Sequence, residues 1–176
     1  MRVVVNYATG AVASCNTNIT GETEDYLFAV TAASCVVPSA LSATSVATTT
    51  ATIDWDAPTS GPTPTDYQIF YSTSSTAPVS GTTPTISGIT STDQGLTGLT
   101  GGNLYYVWVR SNCGATQSSW AALPTFTTAP VNNNCSGALS LIVNSGTTCT
   151  STTTGTTVAA TQSQAGCSGT ADDDVW

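Results

Sequence analysis

The chain has 176 residues: two are basic (Arg2 and Arg110), ten are acidic and none is histidine, for a formal net charge of −8. A chain this acidic cannot neutralise phosphates, which excludes nucleic acid and anionic membrane surfaces as partners. Without histidine it lacks the commonest general base, the Ser-His and Cys-His nucleophile pairs and the commonest zinc ligand. No stretch approaches the ~20 apolar residues of a membrane span, so no membrane insertion is expected.

Residues 1–33 open in a strand pattern, Arg2-Val3-Val4-Val5-Asn6-Tyr7, and pass through a polar loop with Cys15, Asn16, Asn18 and Gly21. A second strand is expected over Tyr26-Leu27-Phe28-Ala29-Val30-Thr31. Two strands and a loop bury too little to stand alone. The segment therefore reads as the C-terminal hairpin of a preceding β domain.

Residues 34–129 carry short β-prone runs at 40–45, 50–55, 67–71, 85–89, 93–96, 105–111 and 124–128, separated by Gly, Pro, Asp and Ser/Thr turns. This is the pattern of an all-β sandwich. In the third run Tyr67, Ile69 and Tyr71 share one face, and in the sixth Tyr105, Val107 and Val109 do. No window shows a helical period.

Trp55 on the second run, the Tyr67-x-Ile69-x-Tyr71 pattern on the third and Leu96-Thr97-Gly98-Leu99-Thr100-Gly101-Gly102-Asn103-Leu104-Tyr105 before the sixth together resemble a fibronectin type III domain. The resemblance covers the whole middle part. It implies an immunoglobulin-like sandwich with Trp55 in the core and Tyr105 as the corner tyrosine. Gly101 and Asn103 stand where the family usually has Pro and Thr, so a looser turn is expected there. Cys35 and Cys113 flank the domain as they do in bacterial versions with an added disulfide, and the resemblance implies that they are bonded.

Residues 130–176 read as the N-terminal part of a further β-sandwich module. Pro130 and Asn132-Asn133-Asn134 look like a linker, and strands are expected at 138–144, 149–154 and 156–161, with another beginning at Val175-Trp176. The six cysteines (Cys15, Cys35, Cys113, Cys135, Cys149, Cys167) are widely spaced, and no Cys-x-x-Cys occurs. Disulfides in an oxidising compartment explain them better than zinc. Among Cys135, Cys149 and Cys167 one bond is expected, Cys135–Cys149, while Cys15 looks for a partner beyond residues 1–33. Partial domains at both ends suggest a piece of a tandem array. Gly21-Glu22-Thr23-Glu24-Asp25-Tyr26 resembles the Gly-Glu-Val-Glu-Asp-Tyr motif that ends domains in large surface proteins of the Bacteroidetes, and the segment from Asn134 onward is similar to a module of the same proteins. That resemblance implies export by type IX secretion.

The candidate sites are few. Asp172, Asp173 and Asp174 offer carboxylate oxygens to Ca²⁺, but three consecutive residues in an extended chain point to alternating sides, and a solvated acidic turn is the better reading. Glu22, Glu24 and Asp25 read as a charged strand edge that discourages pairing. Asp54 and Asp56 flank the inward Trp55, so they point away from the core and have no cleft in which to act as an acid–base pair. No Gly-x-Ser-x-Gly is present. No cofactor is expected, Ca²⁺ being the one candidate, and no catalysis. With one face of each strand committed inward, Phe70, Tyr106 and Trp108 fall on the opposite face and form a candidate contact patch for a neighbouring module, another protein chain or a carbohydrate, the alternative being local cover under Thr and Gln side chains. Arg110 and Trp120 suggest a guanidinium stacked on an indole, in a structural role.

The expected protein is thus an all-β extracellular or cell-surface segment, one complete fibronectin type III-like sandwich (34–129) between two partial β domains, with a structural or adhesive task. The alternative is an accessory region of a secreted hydrolase whose catalytic domain lies elsewhere.

Overall fold

The structure, a computed structural model, describes residues 2–6, 21–25, 33–142 and 151–162. The chain divides into two compact units, residues 1–33 and 34–176.

The first unit holds an antiparallel pair, β1 (Arg2–Asn6) and β2 (Gly21–Asp25), with Arg2 opposite Asp25 and Asn6 opposite Gly21. The second strand is therefore the acidic Gly-Glu-Thr-Glu-Asp run. The apolar run expected to form it, 26–31, lies outside the described residues, as does Cys15. Alternation of Glu with Thr satisfies the period-2 pattern as well as alternating apolar residues do, which is how β2 escapes a search for hydrophobicity.

The second unit is built on a sandwich of two antiparallel sheets. One runs β3 (Ser39–Thr44), β4 (Ala51–Asp56), β7 (Asp93–Leu96). The other runs β6 (Ile86–Ile89), β5 (Asp66–Ser72), β8 (Leu104–Asn112), and its last edge is shared by β9 (Ala121–Ala122) and β10 (Phe126–Thr127). The last expected run, 124–128, forms only the two-residue β10, and β9 precedes it; Pro124, between them, has no N–H to give the ladder. The edge strand β3 carries a bulge between Ser39 and Ser42, with Ala40 at φ 50°, and this blunts it against pairing with another chain.

The inward faces fill the core. Ile53 and Trp55 from β4, Tyr67 and Ile69 from β5, Leu96 from β7, and Tyr105, Val107 and Val109 from β8 are all buried. The Trp55 and Tyr67 rings meet edge-on with centroids 5.3 Å apart, and burial raises the Tyr67 phenol pKa. Tyr71, expected among these residues, is only half-buried, since it sits where β5 runs out of the sandwich; its ring lies 6.4 Å from that of Tyr105.

The turn before β8 is fastened from two sides. The Thr100 N–H donates to the Tyr105 hydroxyl at 2.8 Å, the contact that defines a tyrosine corner. The Thr128 hydroxyl donates to the Thr100 carbonyl at 2.7 Å and accepts from the Asn103 N–H at 3.1 Å. The expected looseness at Gly101 is not found. A Cβ there would stand 2.7 Å from Thr48 Cγ2 and 3.0 Å from both the Ala129 carbonyl and Val131 Cγ1, so glycine allows closer packing here than a ring would.

Beyond the sandwich the described residues show a 3₁₀ turn, Cys135–Gly137, but none of the strands expected within 138–142 or 151–162. Threonine-rich segments have strand propensity, but a strand also needs a partner's ladder. The Asn132-Asn133 pair is buried instead of forming a solvated linker. The Asn133 side chain clasps Thr161 at two points: its Nδ2 donates to Thr161 Oγ1 at 2.9 Å, and its Oδ1 accepts the Thr161 N–H at 2.7 Å.

Candidate functional site

The outer face of the β5–β8 sheet carries the aromatic side chains of Phe70, Tyr106 and Trp108. Direct pairing of Phe70 with Trp108, and of Gln68 with Arg110, sets these residues side by side on it. The rings do come together. Phe70 lies 5.9 Å from Trp108 and 6.4 Å from Trp120, and Tyr106 stacks beside Trp108 at 6.3 Å with planes 17° apart.

Local cover accounts for one of the three rings. Phe70 and Tyr106 are half-buried, but Trp108 is only 7% exposed. The segment from Ala77 to Ser80 and the Ser119–Ala122 stretch close over it from either side and leave a groove of about 390 Å³ between them, with Trp108 and Trp120 in its lining. The covering comes from the chain itself. Alternation identifies which side chains leave the core, but not which loop returns to shelter them.

Arg110 and Trp120 hold this cover in place. The guanidinium carbon lies 4.3 Å from the centre of the Trp120 indole. Arg110 is 4% exposed, and its Nε donates to Gln68 Oε1 and its Nη1 to the Ser80 carbonyl, both at 2.7 Å. Trp120 Nε1 donates to the Val79 carbonyl at 3.1 Å. Burial lowers the Arg110 pKa from its ordinary value, yet an arginine keeps its charge across the physiological range. The Ser80 and Gln68 contacts escaped the sequence reading. Their signal is Pro78-Val79, an apolar pair in an otherwise Ser/Thr-rich loop. Replacing Arg110 with alanine is expected to cost about 2–3 kcal/mol, since it removes two hydrogen bonds from a charged donor and leaves Gln68 buried without its partner. Equilibrium unfolding in urea measures this. A loss below about 0.5 kcal/mol would mean that the stack contributes nothing to the fold.

The remaining candidates are scattered. Asp54 accepts a hydrogen bond from the Thr44 hydroxyl at 2.6 Å on the other sheet, and Asp56 is exposed. Glu22, Glu24 and Asp25 lie in β2. Asp172, Asp173 and Asp174 fall outside the described residues, as do Cys149 and Cys167. Among the described residues no three His, Cys, Asp or Glu side chains gather to hold a metal ion. Cys35 and Cys113 are bonded, with Cα atoms 5.9 Å apart. Cys135 is exposed with a free thiol, on the short 3₁₀ turn 135–137; Cys149, the partner expected for it, lies outside the described residues.

A family model for the fibronectin type III domain matches residues 36–127, more than half of the chain. No curated protein sequence matches. Similar solved structures include an fn3 domain of human collagen alpha-1(XX) chain, 22% identical over 68% of this chain and 100% of that one, with a TM-score of 0.42. A two-domain fibronectin type III segment of chicken tenascin is 25% identical over 52% of this chain and 49% of that one, TM-score 0.42. An Fn3-like protein from Clostridium thermocellum is 26% identical over 52% and 88%, TM-score 0.42.

Proposed function

The chain belongs to the fibronectin type III domain family, and on that premise we propose that it is a non-catalytic structural and adhesive segment of a larger extracellular or cell-surface protein. The observation that carries the reading is how the residues are spent. The core is closed and filled, the Asp54 and Asp56 carboxylates lie on or near the surface away from any cleft, and the groove on the outer sheet is lined by rings instead of ionisable groups. Such a module spaces its neighbours and presents a surface. The Cys35–Cys113 bond supports an oxidising compartment.

The parent protein, on this reading, is a multi-module surface protein of the Bacteroidetes type, exported by type IX secretion and assembled into a fibre. The Gly21–Asp25 run and its similarity to a domain-ending motif support that part. Its partners are the neighbouring modules and other protein chains, and no cofactor takes part. Deleting residues 34–129 from the parent protein tests the reading: on intact cells, adhesion or fibre length should fall while any hydrolytic activity of the culture stays unchanged. Unaltered adhesion together with reduced hydrolysis of polymeric substrate would instead make this region the accessory part of a secreted hydrolase.

A further inference from the structure

We propose that the indole-lined groove beside β8 is a binding site for an uncharged carbohydrate, a short stretch of neutral glycan. The proposal rests on the reading above, of a module that makes contacts without chemistry, and it specifies the chemistry of one such contact.

Charge narrows the ligand first. The lining residues Ala77, Pro78, Ser80, Trp108, Ser119, Trp120 and Ala122 include no ionisable side chain. Arg110 is the only basic residue in 34–176, and its Nε and Nη1 are already spent on Gln68 and the Ser80 carbonyl. An anionic ligand would find no cation to meet it and would approach a chain of net charge −8. A cationic ligand would find no carboxylate in the groove and the buried Arg110 charge close behind it. An uncharged ligand meets neither cost.

Shape and surface narrow it further. The half-buried Trp120, one face of which Arg110 covers, and the little that Trp108 exposes give the groove an apolar ring surface of the kind on which a sugar's C–H face packs, and about 390 Å³ sits at the lower end of the roughly 300–1,000 Å³ typical of small-ligand sites. At the rim, Ser80 and Ser119 are exposed, and their hydroxyls have no partner among the described residues. A serine hydroxyl both donates and accepts, which matches a ligand whose own hydroxyls do the same. A proline-rich peptide is the competing occupant of an aromatic groove, but it presents backbone carbonyls that an indole N–H would read. Here Trp120 Nε1 is committed to Val79, which leaves only the Trp108 indole N–H for such a contact, and that residue is 7% exposed.

The site is also formed in advance. Arg110 stacked on Trp120 and the Trp120–Val79 hydrogen bond fix the indole's pose, and Phe70 and Tyr106 brace Trp108. A ligand therefore has little side-chain freedom to freeze on binding, the condition under which a shallow site gains useful affinity.

Affinity electrophoresis of the 176-residue chain tests the proposal, using native gels that contain a soluble β-1,3-glucan, a β-1,4-mannan or dextran. Tryptophan fluorescence titration with the matching oligosaccharides gives the affinity. At least one neutral polysaccharide should retard the protein. The S80A/S119A double variant trims only exposed hydroxyls and should bind about tenfold more weakly, with an unchanged melting temperature. The more disruptive Trp120→Ala should abolish retardation. The proposal is overturned if no neutral polysaccharide retards the wild type, if the double serine variant binds as the wild type does, or if a polyproline peptide binds and the sugars do not. Release of reducing ends from the same polysaccharides would overturn the non-catalytic reading while leaving the binding site in place. Failure of retardation leaves the non-catalytic reading intact, so the two failures are distinguishable.

Discussion

Trp55→Ala should lower the unfolding free energy of residues 34–129 by about 3–5 kcal/mol, the usual cost of truncating a buried large aromatic. Trp55 is 4% exposed, reaches into the sandwich from the central strand β4 and meets Tyr67 edge-on. Alanine would leave a void bounded by residues of both sheets, and a sandwich closed by paired strands has little room to collapse into it. A urea titration of the full chain with tyrosine and remaining tryptophan fluorescence as probes reads the effect. A loss under about 1 kcal/mol would mean that the core closes without this ring.

The second large effect belongs to the disulfide. The C35S/C113S double variant should lose about 4–5 kcal/mol on the loop-entropy model, because the bond spans 78 residues of sequence. Measured losses for long loops often fall below that figure, so about 2 kcal/mol or more is the threshold that upholds the assignment. Comparing wild type with and without reductant gives the same quantity without mutation. An unchanged midpoint on reduction would show that the bond does not constrain the unfolded chain.

Sequence alternation made the inner half of the fold legible. Tyr105, Val107 and Val109 on one strand and Tyr67 and Ile69 on its neighbour identify the core face with no knowledge of the partners they meet. The corner tyrosine was legible through its resemblance, since Tyr105 is placed by a loop motif and not by hydrophobicity. The outer face was not legible. Trp108 and Arg110 fall on the outward face by alternation, and each is buried under a loop that only the Pro78-Val79 pair marks in the sequence. The aromatic cluster was thus found and local cover weighed for it, but not the loop that supplies the cover. In the described part of the threonine-rich runs, 151–161, no strand forms, for a related reason. Propensity reports that a segment tolerates extension, whereas a strand also needs an unpaired edge, and pairing is a property of the whole fold. At Gly101 the departure from the family's proline was visible, but its consequence depended on Thr48, Ala129 and Val131, which lie far away along the chain.

The position of the Cys35–Cys113 bond has a mechanical consequence. Tension applied between the two ends of the sandwich enters near Cys35, crosses to Cys113 at the end of β8 and leaves through the last strands. The chain between the two cysteines lies off that load path. Pulling can therefore peel β9 and β10 away, but it cannot unspool the sheets behind the bond. At roughly 3.5 Å per extended residue the bypassed segment withholds on the order of 270 Å of contour length. Under load this makes the module a stiff link with a short, fixed yield, and a reducing environment would turn it into a long extensible one.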